Sequence, residues 1–375
     1  MKGAGRQRLI LVGAGHAHLL LMTRADELRR AGIEARLLAP PGFDYSGLAT
    51  GVLSGAVSPL ANRLDVARIA AAAGVALRVG EAARILASDR YVETREGERL
   101  DYDMLSLNIG SRIRDPLSLA EAADVYPAKP LSSLARLRVR LETLCAEGRT
   151  RAPALVVAGT GPGGFEIAAV LEALSRRLWG RSNVTLVGPD PEAGFVSARA
   201  RDRLLTGLDR RGLIRRRGRV CARAPGSCRL EAGEELACDA LVLATGLVGP
   251  ELLLSAGLPL DPDGRMIVST GLVSMGDERV FGVGDCAVIK GHERPPLGVF
   301  GVRAAPFLLA AVQARAGGAP ARPYLPQSRY LSILDLGDGS GLALYGSHAR
   351  RGRAAVWLKR RLDEGFLNRM RRLES

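Results

Sequence analysis

Two glycine turns of one design, about 150 residues apart, constrain this chain more than anything else in it. The first reads RLILVGAGHAHLL, with Gly13 and Gly15 closing the apolar run Leu9 to Val12. The second reads ALVVAGTGPGGFEIAAVL, with Gly159, Gly161, Gly163 and Gly164 following the run Leu155 to Ala158. In such a turn one glycine makes the bend from strand to helix. A second lets the backbone approach a phosphate, and a third lets helix pack on strand. The helix N-terminus, with unbonded N–H groups and a positive dipole, then faces the pyrophosphate. A single loop of this kind is a weak signal. Two at domain-length separation predict an α/β chain that holds two dinucleotides. The second loop has the full glycine set, and Ile167 to Leu174 continues it as an apolar helix face. The first departs from the pattern, because His18 stands where the third glycine belongs.

Composition narrows the classes. A chain of 375 residues exceeds one ordinary core, so two or three domains are expected. Its 47% hydrophobic and 25% charged content describes a folded, soluble protein. The formal charge is +14, carried almost wholly by scattered arginines, since lysine occurs only at 2, 129, 290 and 359. With aromatics at 4%, stacking platforms for nucleic acid are lacking, so no nucleic-acid partner is expected. Gly13, Gly15, His16 and His18 interrupt the apolar stretch near the N-terminus, which argues against a signal peptide. No run is long enough to span a bilayer, and a cytoplasmic location is expected. Cys145, Cys221, Cys228, Cys238 and Cys286 form no C-x-x-C pair, and none lies in the first hundred residues. Neither a disulphide framework nor flavin-to-disulphide chemistry is expected, and with four histidines no metal site is either.

Beyond the first loop, Leu19 to Ala31 reads as a helix and Glu34 to Ala39 as the next parallel strand. Dinucleotide folds commonly end that strand with an acid for the ribose hydroxyls. Here it runs into Pro40 and Pro41 instead. The second unit repeats the departure: Asn183 to Val187 runs into Gly188 and Pro189, with Asp190 past the usual place. The choice between NADH and NADPH is left open.

Three further segments follow in order: YDMLSLNIGS from Tyr102, DALVLATGL from Asp239 and VFGVGDCAVI from Val280. With the two loops they resemble the flavin-dependent pyridine-nucleotide oxidoreductases with two dinucleotide-binding domains. GAGHAHLL, YSGLATGVLSG, PPLGVFGVRAAPFLL and PYLPQSRYLSILDLGDG resemble, more narrowly, relatives of type II NADH:quinone dehydrogenases. That subgroup is found alone or fused to selenide, water dikinase. The resemblance spans essentially the whole chain.

It implies FAD and NAD(P)H as cofactors and assigns residues to each. Gly13 and Gly15, with donors around His16 and Ala17, would hold the FAD pyrophosphate. Asp285 would accept from the ribitol hydroxyls, with Gly284 giving close approach; a carboxylate suits this because it only accepts. Ser46, Gly47 and Gly110 would lie near the flavin. Gly298 and Val299 would bring a helix N-terminus to the pyrimidine end of its ring. Gly159, Gly161, Gly163 and Gly164 would bind the nicotinamide dinucleotide, with Gly246 bordering that cleft. Glu166 matches the acid that follows the loop in type II dehydrogenases. It would orient the carboxamide or relay protons during acceptor reduction, or else complement a helix N-terminus. Two departures stand out. The quinone-site glutamines of those dehydrogenases are replaced by a stretch with Arg303, Pro306 and a lone Gln313, and Pro296 and Leu297 precede the Gly-Val turn. His16 and His18 are read as packing residues ahead of acid–base ones.

The stretch Val356 to Leu373 reads as a basic amphipathic helix with Leu358, Leu362, Phe366, Met370 and Leu373 on one face. It is expected to dock on the body or a second subunit, or to lie on the inner face of a membrane. The expected architecture is two Rossmann-like units and a short C-terminal α+β segment. Residues 1–118 and 250–316 would form a discontinuous FAD domain, 119–249 the NAD(P) domain and 317–375 the remainder. The expected activity is hydride transfer from NAD(P)H to FAD, then reduction of a quinone-like or other small acceptor. The alternative is an FAD-binding accessory protein, linked to selenium metabolism, without nicotinamide turnover. Association as a homodimer is left open.

Overall fold

The computed structural model describes residues 6–189 and 198–374, so Asp190 lies outside the described residues. Two five-stranded parallel sheets organise the chain. The first runs Val280–Gly282, Met104–Leu107, Gln7–Val12, Ile33–Ala39, Ala76–Val79 in spatial order. The second runs Val125–Pro127, Ala240–Leu243, Leu155–Ala158, Val184–Gly188, Ile214–Arg217. Their central strands are apolar on both faces, as parallel strands covered by helices must be. Leu9, Leu11, Leu105 and Leu107 are fully buried in one core, Val157, Leu186 and Val242 in the other. Each glycine loop leaves the central strand of its sheet at the carboxyl edge, where open α/β sheets place their ligands.

The second loop opens a long helix, Pro162–Trp179. Proline at its first turn and Gly180 with φ +71° at its end are the favoured start and stop. The helix expected over Leu19 to Ala31 is two: His16–Met22 and Ala25–Arg30. The break falls where Thr23 Oγ1 donates to the Leu20 carbonyl at 2.7 Å and Arg24 leaves helical geometry at φ −128°. Pro306 sits inside the helix Gly298–Arg315, which packs against His16–Met22.

The C-terminal segment is a three-stranded antiparallel sheet, Leu331–Asp335, Gly341–Tyr345 and His348–Gly352, followed by the helix Arg353–Arg371. That helix docks on the body, and its inward face keeps Phe366, Met370 and Leu373 of the expected stripe but not Leu362. Ala355, Val356, Asp363, Leu367 and Met370 are buried, whereas Leu362 is 53% and Trp357 61% exposed. Lys359 and Asp363 turn the helix inward because both find polar partners there, described below. Among the described residues, no helix is long and apolar enough to cross a membrane.

Candidate active site

The first loop is built around a residue the sequence did not single out. Asn108 Oδ1 accepts from the amides of Ala17 at 3.0 Å and His18 at 3.3 Å, and its Nδ2 donates to the Val283 carbonyl at 2.8 Å. One buried side chain thus ties the loop to two strand ends. It also explains the glycines. A Cβ on Gly13, at φ +85°, would lie 2.6 Å from the Asn108 carbonyl oxygen, and one on Gly15 would lie 2.4 Å from Oδ1. A Cβ on Gly284, at φ +76°, would meet Asn108 Nδ2 at 2.6 Å. The Gly15 amide donates to the Asn108 carbonyl at 3.2 Å. Gly15 and Ala17 therefore spend their amides within the fold, so Ala17 is not available as the donor expected of it, whereas no such bond holds the His16 amide among the described residues. The polar Asn108 directly after the buried strand Met104–Leu107 was the signal available in the sequence.

His18 replaces the third glycine without opening the packing. Its ring is fully buried, Nδ1 lies 2.6 Å from the Gly13 carbonyl and Nε2 2.8 Å from Ser106 Oγ. The carbonyl only accepts, so Nδ1 carries the proton and Nε2 accepts from the serine. Burial pushes its pKa down to about 4, against the small upward pull of the Gly13 carbonyl. His16 lies among Phe43, Tyr45 and Phe366, with ring centroids 5.3, 5.4 and 5.1 Å away. Burial likewise takes it to about 4, with Asp285 pulling the other way. Both rings are neutral at pH 7, which removes them from acid–base work near neutrality. A Cβ on Gly298 would sit 3.4 Å from the His16 ring, so the start of the helix Gly298–Arg315, with Val299 next, faces the loop.

Asp285 lies on the short turn Gly284–Cys286. Its Oδ2 accepts from Ser111 Oγ at 2.9 Å and Lys129 Nζ at 2.7 Å. Burial works to raise its pKa, but Lys129 and Ser111 together hold it below the ordinary value. Gly110, just before Ser111, has φ +72° and open space beyond it.

In the second loop the glycines divide by task. A Cβ on Gly159 would fall 2.0 Å from the Ala244 carbonyl oxygen, and one on Gly164 would fall 1.9 Å from the Gly159 oxygen. Those two permit the packing of helix on strand. A Cβ on Gly161, Gly163 or Gly246 would meet nothing within 4 Å, so the backbone there is open. Glu166 follows on the same helix and turns away from solvent. Its Oε1 accepts from Thr50 Oγ1 and from the Asp335 amide, both at 3.0 Å. Burial raises its pKa, and Lys359 opposes the rise. Lys359 donates to the Gly47 carbonyl and, at 3.0 Å, to Asp363 Oδ2. Glu166 and Asp363 outweigh the cost of burying this ammonium and raise its pKa, so it stays charged. Tyr45 OH donates to Asp363 Oδ1 at 2.9 Å, and a Cβ on Gly47 would collide with both side chains. The turn Ser46–Leu48, the second loop and the C-terminal helix therefore meet at one buried polar cluster. The scarcity of lysine was the signal for it: two of four lysines are held in sheltered ion pairs around the site.

Two glycine loops at the carboxyl edges of two parallel sheets, with sheltered carboxylates and lysines between them, define a fold with two dinucleotide-type units. The chain belongs to the pyridine nucleotide-disulphide oxidoreductase family, whose model matches residues 7–305. Two curated relatives from Mycobacterium tuberculosis are the NADH dehydrogenase-like proteins MT1860 (strain CDC 1551 / Oshkosh) and Rv1812c (strain ATCC 25618 / H37Rv). Each is 29% identical over 236 residues, covering 61% of this chain and 59% of its own length. The sulfide:quinone oxidoreductase of Aquifex aeolicus shares the fold, with a TM-score of 0.81 at 17% identity, over 98% of this chain and 92% of that one. The ferredoxin reductase for the CYP199A2 system of Rhodopseudomonas palustris aligns with a TM-score of 0.71 at 22% identity, over 90% and 81%. Despite the family's name, no cysteine precedes Cys145, and Cys286 beside Asp285 is a buried free thiol.

Proposed function

We propose that this chain passes hydride from NAD(P)H to FAD and then electrons to a small, quinone-like acceptor. The observation that carries the reading is Glu166. It belongs to the second loop, yet its carboxylate is bonded to Thr50, just beyond the turn Ser46–Leu48 on the FAD side. In this reading residues 1–118 and 250–316 hold FAD, 119–249 hold the nicotinamide dinucleotide, and 317–375 close the site. The residues present suit both groups: open backbone at Gly161, Gly163 and Gly246, and at the first loop the His16 amide with the acceptor Asp285. FAD, when bound, supplies hydride acceptance and onward electron release. The protein binds and orients, and Glu166 with Lys359 holds a proton and a compensating charge at the meeting point.

Anaerobic stopped-flow mixing of holoprotein with NADH or NADPH is expected to bleach the flavin absorbance. Glu166→Gln keeps an acceptor for Thr50 but not the charge facing Lys359. It is expected to leave bleaching close to wild type and slow reoxidation by a soluble quinone by roughly 100-fold, the scale of a lost proton relay. Equal rates in both half-reactions would remove Glu166 from the proton path. One feature favours a second reading, a flavin-binding accessory protein: the strand Val184–Gly188 runs into Pro189, and the acid Asp190 comes past the usual place. No bleaching with either donor would decide for it.

The outward face of the C-terminal helix supports a peripheral contact with an anionic membrane surface. Trp357 and Leu362 project there, Arg361 lies 5.7 Å above the indole, and Arg360 is exposed beside them. The full chain is expected to sediment with vesicles containing phosphatidylglycerol and to do so less after Trp357→Ser with Leu362→Ser. Wild-type protein that stays in the supernatant would rule the contact out.

A further inference from the structure

Lys129 was not among the expected site residues, yet its position is the most specific feature of the first loop's surroundings. It follows the strand Val125–Pro127 of the second sheet, whereas Asp285 follows the strand Val280–Gly282 of the first. The ion pair therefore crosses from one sheet unit to the other. It is partly sheltered, with the two side chains 26% and 14% exposed. Three polar atoms converge on one carboxylate oxygen: Lys129 Nζ lies 2.7 Å from Asp285 Oδ2 and 2.8 Å from Ser111 Oγ, which itself donates to Oδ2 at 2.9 Å. Among the described residues, Oδ1 has no hydrogen-bond partner. The carboxylate is thus gripped on one side and free to accept on the other. His16 of the first loop feels both charges, which places the pair beside the loop.

The electrostatic problem is plain. FAD brings a doubly charged pyrophosphate, and a buried, unneutralised carboxylate nearby would oppose it. Removing one partner of a sheltered ion pair leaves exactly such an uncompensated charge. A chain that uses arginine almost everywhere keeps lysine here. The compact ammonium can touch a carboxylate and a hydroxyl at once without the planar span of a guanidinium.

We propose that Lys129 is a positioning residue for FAD: it neutralises Asp285 and fixes its free oxygen toward the sugar-alcohol chain of the cofactor. The inference rests on the flavin reading of the first loop, and the test separates the two. The full-length chain is stripped of cofactor and titrated with FAD by fluorescence, as wild type, Lys129→Met, Lys129→Arg, Asp285→Asn and the Lys129→Met/Asp285→Asn pair. Failure of wild type to bind FAD would overturn the flavin reading itself. With wild type binding, Lys129→Met is expected to weaken FAD by about ten- to a hundredfold, the range for a half-sheltered pair losing one member. Lys129→Arg, which restores the charge but not the compact geometry, should recover part of the loss. The decisive variant is the pair, because asparagine needs no counter-charge: it should bind FAD more tightly than Lys129→Met alone and no more weakly than Asp285→Asn. Unchanged affinity in Lys129→Met would overturn the proposal. So would a pair as weak as Lys129→Met, since Lys129 would then act on the phosphates and not through Asp285. Thermal unfolding of the cofactor-free proteins monitors folding; if Lys129→Met alone fails to fold, the arginine and paired variants still decide.

Discussion

Asn108→Ala is expected to lower the stability of the chain by about 3–6 kcal/mol and to strip it of flavin. The side chain satisfies the amides of Ala17 and His18 and donates to the Val283 carbonyl, all in a buried setting. Each buried group left without its partner costs about 1–3 kcal/mol, and whole domains are stable by only about 5–15 kcal/mol. The damage would spread, because the three bonds join the loop, the strand Met104–Leu107 and the strand Val280–Gly282. Asn108→Asp is the control that keeps the shape and the acceptor but loses the donor, and it should fall between. Urea midpoints and flavin per polypeptide measure both effects. A loss below about 1 kcal/mol with full flavin would mean that solvent or a shifted backbone replaces the asparagine.

The second large effect is with pH. His16 and His18 both titrate near 4 in the folded chain, against an ordinary 6.5. A pKa lowered by folding means that the unfolded chain takes up protons that the folded one refuses. Stability is therefore complete above pH 6.5 and declines as pH falls towards 4. Each histidine contributes a slope approaching 1.36 kcal/mol per pH unit, so the pair should cost about 2 kcal/mol between pH 6 and pH 5. Glu166, whose pKa is raised, has the opposite sign and offsets part of this. His18→Gln, which can still bridge Gly13 and Ser106, should flatten the dependence by about half, as denaturant titrations at pH 7, 6 and 5 would show. A wild-type profile flat between pH 6 and 5 would mean that the rings are protonated within the fold.

What was legible in the sequence is what local chemistry dictates. The glycine loops were readable because strand, bend and helix are contiguous, and the second loop's glycines divide into packing and open positions much as the motif implies. His18 was legible only as a missing glycine. Its hydrogen bond to Ser106 spans 88 residues of chain, and no local rule reports such a pairing. Asn108 and Lys129 were hidden for the same reason: Asn108 binds Ala17, His18 and Val283, and Lys129 binds Asp285, all more than 85 residues away. The C-terminal helix shows a different failure. Apolar spacing put Leu358, Leu362, Phe366, Met370 and Leu373 on one face; Met370, Phe366 and Leu373 do pack on the core, but Leu362 is exposed, and partners at Gly47 and Tyr45 draw Lys359 and Asp363 inward. Apolar periodicity sees only the hydrophobic part of burial, and a polar cluster with matched partners can take over part of the inward face.

The uneven use of lysine has a practical side. An amine-directed reagent finds few targets on this molecule: Lys290 is exposed, while Lys129 and Lys359 are sheltered in ion pairs at the two ends of the site. Acylation of Lys290 then serves as an internal clock for reagent exposure. Modification at 129 or 359 becomes a footprint of the site opening, read by mass from single peptides without a label, a probe or a functional assay.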